Sequence, residues 1–178
     1  MKSAPDAATT SVLSRSPTDT EAIGGALAAA VAADTVVGLS GPLGAGKTCF
    51  ARGVAERLGV DPTTVTSPTF VYLVDYPDAS TPLHHADLYR LADLPEDSAE
   101  AAYESIGLLA AFAAGGIAVV EWWDRYRGPV PASLVRVEFV IENVEHRRID
   151  AHFAMREGPS VARAFEAELA TLGLNPVS

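Results

Sequence analysis

Eight consecutive residues carry the clearest chemistry in this chain: Gly41-Pro42-Leu43-Gly44-Ala45-Gly46-Lys47-Thr48, which reads G-x-x-x-x-G-K-T. Glycines allow the tight turns that let successive backbone N–H groups converge on phosphate oxygens. A helix starting at the end of such a loop adds the positive end of its dipole. Lys47 is placed to reach β- and γ-phosphates, and the Thr48 hydroxyl to hold Mg²⁺. Gly41, Gly44, Ala45, Gly46, Lys47, Thr48 and the adjoining Cys49 are therefore the expected phosphate-side contacts. In a chain of this composition, chance supplies roughly 0.002 matches to the four fixed positions.

Triphosphate chemistry also needs an acid on the metal side and a group that positions the attacking water. Asp87 and Glu121 are the candidates. Each closes an apolar stretch, Leu83 to Ala86 and Ile117 to Val120. If both stretches are strands beside the strand that feeds the loop, their carboxylates emerge at one sheet edge. Lys47, Asp87 and Glu121 are then the expected catalytic groups, and Thr48, Asp87 and Glu121 the expected metal set. His84 and His85 are neighbours, so on a strand they face opposite sides and do not share an ion. A surface role, or one behind the site residues, suits them better. Trp122 and Trp123 follow Glu121 directly and either pack the mouth of the site, stack on a partner or fill core.

The surrounding pattern supplies the elements that must hold these groups. Val36 to Leu39 reads as a short apolar strand, and Cys49 to Leu58 as a helix with Phe50, Val54 and Leu58 on one face and Gly59 at its C-terminal cap. Upstream, Ser16-Pro17-Thr18-Asp19 has the N-cap, proline and acid of a helix start, and the helix runs to about Asp34. Ser67 to Thr69 is a loop because the residue before a proline avoids helix. Val71 to Tyr76 and Leu83 to Leu88 read as a hairpin around the Pro77–Ser80 turn. Glu96 to Tyr103 and Leu108 to Ala114 are helical pieces, and Ile117 to Val120 suits a central parallel strand. Strands around Val135–Ile141 and Ile149–Met155 alternate apolar and polar residues about a turn at Asn143–His146. Val161 to Leu172 is a last helix. The order predicts an α/β fold, a P-loop NTPase fold with a mixed, partly parallel central sheet flanked by helices.

Residues 1–12, without periodicity, are expected to form a disordered N-terminal tail. Residues 13–157 are expected to form the catalytic domain, and 158–178 a C-terminal helix and tail packed on it. The net charge is −10, which repels nucleic acid in the absence of a concentrated basic patch. A lone cysteine, Cys49, excludes an internal disulfide and a multi-cysteine metal site. No secretory signal is read, because the opening MKSAPDAATTS has no apolar stretch, and no membrane span, because the longest uncharged apolar run, Ile106 to Val120, is short and broken by Gly115-Gly116. The expectation is a cytoplasmic protein.

G-P-L-G-A-G-K-T, then S-P-T-F (Ser67 to Phe70), H-x-D-L-Y-R (His85 to Arg90) and E-W (Glu121-Trp122), in this order, resemble the TsaE family. The resemblance spans roughly residues 13–155. It implies an ATPase that binds ATP and Mg²⁺ and joins two partners, TsaB and TsaD. Together they carry out threonylcarbamoyl modification of the adenosine next to the anticodon in tRNAs reading codons that start with A. It also implies that Thr48, Asp87 and Glu121 surround the metal, that Thr20 lies near the adenine, and that Trp122 belongs to the nucleotide site. An arginine of the last hairpin meets the nucleotide by the same implication, Arg147 or its neighbour Arg148. Ser67 to Phe70 resembles a switch-like loop. Two other activities use such a loop. A small-molecule kinase would need an acceptor pocket and a basic lid, for which Arg125 and Arg127 are the nearest approach. A GTPase-like switch commonly carries N-K-x-D, which is absent here.

Overall fold

The computed structural model describes residues 8–91 and 95–177. Its elements are β1 (Ala8–Ser14), α1 (Pro17–Ala30), β2 (Thr35–Ser40), α2 (Lys47–Arg57), β3 (Leu73–Tyr76), β4 (Leu83–Asp87), α3 (Glu96–Ser105), α4 (Leu108–Ala113), β5 (Ile117–Glu121), β6 (Leu134–Ile141), β7 (Arg147–Phe153) and α5 (Gly158–Thr171). Seven strands form one sheet in the order β1-β7-β6-β2-β5-β4-β3. The central four, β6, β2, β5 and β4, are parallel, and β3, β7 and β1 pair antiparallel outside them. The expected mixed α/β architecture is therefore the observed one.

Burial explains the strand assignments. β2 and β5 lie mid-sheet, and all of Thr35–Leu39 and Ile117–Glu121 are buried. Continuous apolar runs are what a parallel strand covered on both faces requires. One face packs Val37, Leu39, Val119 and Val137 with residues of α1, α2 and α5. The other packs Val36, Ala118 and Val120 with residues of α3 and α4.

Helices α1 and α2 meet at glycines. A Cβ on Gly24 would run into the Phe50 carbonyl, and one on Gly53 into the Glu21 carbonyl. The start of α1 carries the expected cap: Ser16 Oγ accepts from the Asp19 N–H at 3.0 Å. Gly59 takes φ 84° just past the end of α2, where its N–H and that of Val60 reach back to Glu56 and Ala55.

Three expectations need correction. Residues 8–12 are not tail: they open β1, paired in register with β7 from Ala8↔Phe153 to Ser14↔Arg147. Thr10, Val12 and Ser14 face inward and their neighbours outward, but the inward set is mostly hydroxyl-bearing, so a hydrophobicity pattern misses it. Thr10 resolves its burial by donating to Glu166 Oε1 at 2.9 Å. Residues 1–7 of the expected tail lie outside the described residues. Helix α1 stops at Ala30, short of Asp34. Strand β3 starts only at Leu73, because Tyr72 takes φ 66° and its N–H bonds the Pro68 carbonyl.

Candidate functional site

Strand β2 ends at Ser40, and the loop to Lys47 turns through Gly41, Gly44 and Gly46 at φ 145°, 74° and 108°. These angles are open to glycine and strained for other residues. Gly41 also lies tight against Phe139 of β6, with no room for a side chain. Gly46 is the N-cap of α2, and no side chain caps that helix. Its first backbone N–H groups are thus left for a ligand.

Lys47 is buried, at 5% exposure. Its ammonium donates to the Gly41 and Pro42 carbonyls at 2.7 and 2.9 Å and lies 3.7 Å from the centre of the Trp122 ring. Burial pulls its pKa below the usual lysine value, while the Glu121, Asp124 and Asp87 carboxylates work against that shift. Trp122 holds its ring there from a left-handed backbone, φ 62°, a conformation that costs a non-glycine residue about 1 kcal/mol or more. Tyr89 packs on the same ring at 5.0 Å, and the Arg125 guanidinium lies 4.5 Å over it.

Glu121 and Asp87 end adjacent parallel strands and are register partners. Both are buried and both face α2, as do Val119 and Leu83 below them. The Thr48 hydroxyl donates to the two Glu121 oxygens at 2.9 and 3.0 Å. His85, on the same face of β4 as Asp87, reaches Glu121 Oε1 through Nε2 at 3.0 Å. Asp87 is held otherwise: Ser67 and Thr69 hydroxyls donate to Oδ2 at 2.5 and 2.9 Å, and the Tyr89 N–H donates to Oδ1 at 2.8 Å. The next residue of that loop, Phe70, stands 78% exposed under the Arg90 guanidinium.

Two clefts open on either side of the loop. One, of about 450 Å³, is lined by Lys47, Thr48, Ser67, Asp87, Glu121 and Trp122 among others. The second, of about 460 Å³, is lined by Arg15, Ser16, Pro17, Thr20, Glu145 and Arg147 among others. Both include Gly44, Gly46 and Cys49, so they adjoin across the loop. A phosphate and metal half on one side and a base and sugar half on the other is the division a nucleotide needs.

Most of the sequence-designated residues converge here. Lys47, Thr48, Asp87, Glu121 and Trp122 line the first cleft, with Ala45. Thr20 and Arg147 line the second, and the Thr20 hydroxyl bonds Ser14 Oγ at 2.7 Å. Arg148 points elsewhere, to Asp150 and Glu142. Gly41 contributes its carbonyl to Lys47 and lines neither cleft. Cys49 borders both clefts half-buried, and burial, with Glu21 beside it, pushes its thiol up to about 11. Trp123 is core: it fills the space left by Gly38 and stacks on Tyr126 at 4.3 Å. His84 faces away, onto Asp75 at 2.7 Å. The sequence carries no signal for Arg15 or Glu145, marks Ser16 and Pro17 only as a helix start, and holds Tyr89 inside H-x-D-L-Y-R without a role of its own.

Oxygen is the donor type Mg²⁺ prefers, and one hydroxyl with two carboxylates leaves sites for phosphate and water. Thr48 and Glu121 already touch, and Asp87 stands in register beside Glu121, so the residues fit that ion.

A parallel sheet, a glycine loop running into a helix N-terminus, and two carboxylates at the same sheet edge define a P-loop nucleotide-binding protein. Residues 14–149 match the sequence model of the family described as "Threonylcarbamoyl adenosine biosynthesis protein TsaE", and the chain belongs to that family. It is 38% identical over 126 residues to a protein of Bacillus subtilis named tRNA threonylcarbamoyladenosine biosynthesis protein TsaE, covering 71% of this chain and 73% of that one. Proteins of the same name from Treponema pallidum and Aquifex aeolicus are 37% and 34% identical, over 70% and 78% of this chain and 87% and 93% of theirs. The crystal structure of Bacillus subtilis YdiB superposes with a TM-score of 0.68 at 25% identity, covering 90% of this chain and 96% of that one. Among the described residues, no helix is long and apolar enough to cross a membrane.

Proposed function

We propose that this chain is the Mg²⁺-dependent ATPase required, with TsaB and TsaD, for threonylcarbamoyl modification of the adenosine next to the anticodon in tRNAs reading codons that start with A. One observation carries the reading: in a chain of this family, Lys47, Thr48, Glu121 and Asp87 meet at one sheet edge, in a cleft that adjoins a second of nucleotide size.

Lys47 leaves the Gly41 and Pro42 carbonyls and donates to the β- and γ-phosphates. The backbone N–H groups from Gly44 to Cys49 cradle the rest of the phosphate chain. Thr48, Asp87 and Glu121 would hold Mg²⁺, which when bound neutralises charge developing on the transferring phosphate. Glu121 and Asp87 orient the attacking water, and Trp122 shields Lys47 from solvent. Thr20 and Arg147 face the adenosine half. Ser67 and Thr69 occupy Asp87 Oδ2 in this structure, so their hydroxyls would have to release that oxygen for Asp87 to hold a metal, which would couple the Ser67–Phe70 loop to the nucleotide state.

A net charge of −10 argues that tRNA is reached through the partners, and a role in tRNA modification is consistent with work in the cytoplasm beside them. Hydrolysis by the lone chain is then slow and rises with the partners. Partners and ATP tighten each other's binding by one shared factor. The test is calorimetry with the TsaB–TsaD pair, with and without a non-hydrolysable ATP analogue, beside a turnover assay. Partner binding indifferent to nucleotide, with fast hydrolysis or phosphoryl transfer to a small acceptor by the lone chain, would replace this reading with a small-molecule kinase.

A further inference from the structure

His85 is 1% exposed, and its two ring nitrogens are treated very differently. Nε2 lies 3.0 Å from Glu121 Oε1, whereas Nδ1 is buried with no hydrogen-bond partner among the described residues. An imidazole that merely filled space at the end of β4 would leave that nitrogen orphaned for nothing. A leucine there would avoid a desolvation cost of about 1–3 kcal/mol. The contact with Glu121 is what offsets the cost.

Against an ionised Glu121 the contact requires one tautomer. A carboxylate only accepts, so Nε2 carries the proton and Nδ1 is a bare lone pair. The opposite tautomer would set two acceptors against each other and bury an N–H without an acceptor. Among the described residues Glu121 has one other donor, the Thr48 hydroxyl, and Thr48 is itself in the expected metal set. Of the two donors on Glu121, His85 is the one with no other role in the site.

We propose that His85 is a positioning residue: its Nε2–H bond fixes the Glu121 carboxylate, so that Oε1 stays tied to β4 and Oε2 is presented to the metal and the attacking water. This rests on the ATPase reading above. The placement gives β4 two tasks two residues apart. Asp87 enters the cleft, and His85 beneath it locks the neighbouring strand's acid in matching height, since Asp87 and Glu121 are register partners. The sheet alone sets where the two backbones lie; the imidazole sets where the second carboxylate points. Removing such a supporting partner typically costs 10- to 100-fold in metal affinity or activity.

Three variants separate positioning from packing. In His85→Gln the terminal amide nitrogen occupies nearly the place of Nε2 and still donates to Glu121. In His85→Asn the amide is too short to reach, and His85→Leu keeps volume without a donor. With the partner proteins present, we expect kcat for ATP hydrolysis to fall about 10- to 100-fold in Leu and Asn, with KM within about threefold, and to return to within about threefold of wild type in Gln. Independently of turnover, long-range proton–nitrogen NMR of the nucleotide-free and metal-free wild type should give Nε2 the shift of a protonated ring nitrogen and Nδ1 that of a bare one. Leu and Asn variants with wild-type kcat, equal loss in Gln and Leu, or an Nε2 that carries no proton would each overturn the proposal. A wild-type chain without Mg²⁺-dependent turnover under any condition would instead overturn the reading beneath it, and the proposal with it.

Discussion

Replacing Lys47 by methionine separates what this residue does for the fold from what it does for the nucleotide. The methionine keeps most of the aliphatic stem and removes only the charge. In the nucleotide-free structure the ammonium makes two bonds to carbonyls, at 2.7 and 2.9 Å, and one contact with an indole ring. Charged hydrogen bonds contribute about 1.5–3 kcal/mol each, and the cation–ring contact about 0.5–2 kcal/mol. Those terms alone would make the variant markedly less stable. Yet the pKa of Lys47 lies below its usual value of 10.5, chiefly from burial. The fold therefore favours the neutral amine more than water does, and desolvation exceeds the attractions the charge recovers. For a base with a depressed folded value, unfolding takes up protons, so stability rises with pH as 10.5 is approached from below. The expected result for Lys47→Met is a Tm within about 4 °C of wild type, corresponding to about 1 kcal/mol in a domain of this size, and loss of that pH-dependent rise. Nucleotide binding behaves oppositely. Two charged bonds to phosphate are lost, about 3–6 kcal/mol, so ATP affinity falls at least about 100-fold. Scanning calorimetry from pH 7 to 10 and titration calorimetry with ATP on the same preparation read both quantities. A Tm lowered by more than about 10 °C would refute the desolvation argument, and unchanged ATP affinity would refute the assignment of the loop.

Three further outcomes follow from the same geometry. Asp87→Asn should lower kcat about 100-fold or more and raise the Mg²⁺ concentration needed for half-maximal turnover, with nucleotide affinity changed less than turnover; steady-state kinetics across a Mg²⁺ series checks this. Arg147→Ala should weaken ATP binding about 5- to 20-fold while Arg148→Ala leaves it within about twofold, because Arg147 lines the second cleft, proposed to take the adenosine, and Arg148 turns to Asp150; competition with a fluorescent nucleotide distinguishes them. Gly53→Ala should cost about 1–3 kcal/mol, a Tm loss of roughly 2–12 °C, since a methyl group there drives into the Glu21 carbonyl and forces α1 off α2; thermal melting decides it, and an unchanged Tm would mean the helices yield freely.

Local rules made much of this protein readable from the chain alone. The loop from Gly41 to Thr48 is a backbone device, and its glycines and its lysine are fixed by sterics and charge within eight residues. Buried parallel strands announce themselves as short apolar runs, so β2, β5 and the acid closing β5 were legible, as were both helix caps. Spacing could not decide what depends on pairing between distant segments. β1 was hidden because its inward residues are largely Thr and Ser, acceptable only because Glu166 on α5 arrives to take the Thr10 hydroxyl. The two histidines looked equivalent until strand β4 took its place against β5, which turned His85 onto Glu121 and His84 onto Asp75. Trp122 and Trp123 likewise separated only in three dimensions, one bent through a left-handed turn onto Lys47 and the other lodged where Gly38 leaves room. Strand alternation on β7 sends Arg147 to the second cleft and Arg148 to the opposite face, onto Asp150. Chemistry contained in one turn of backbone is written in consecutive residues; chemistry that depends on which side chain a neighbouring strand presents exists only once the sheet has formed.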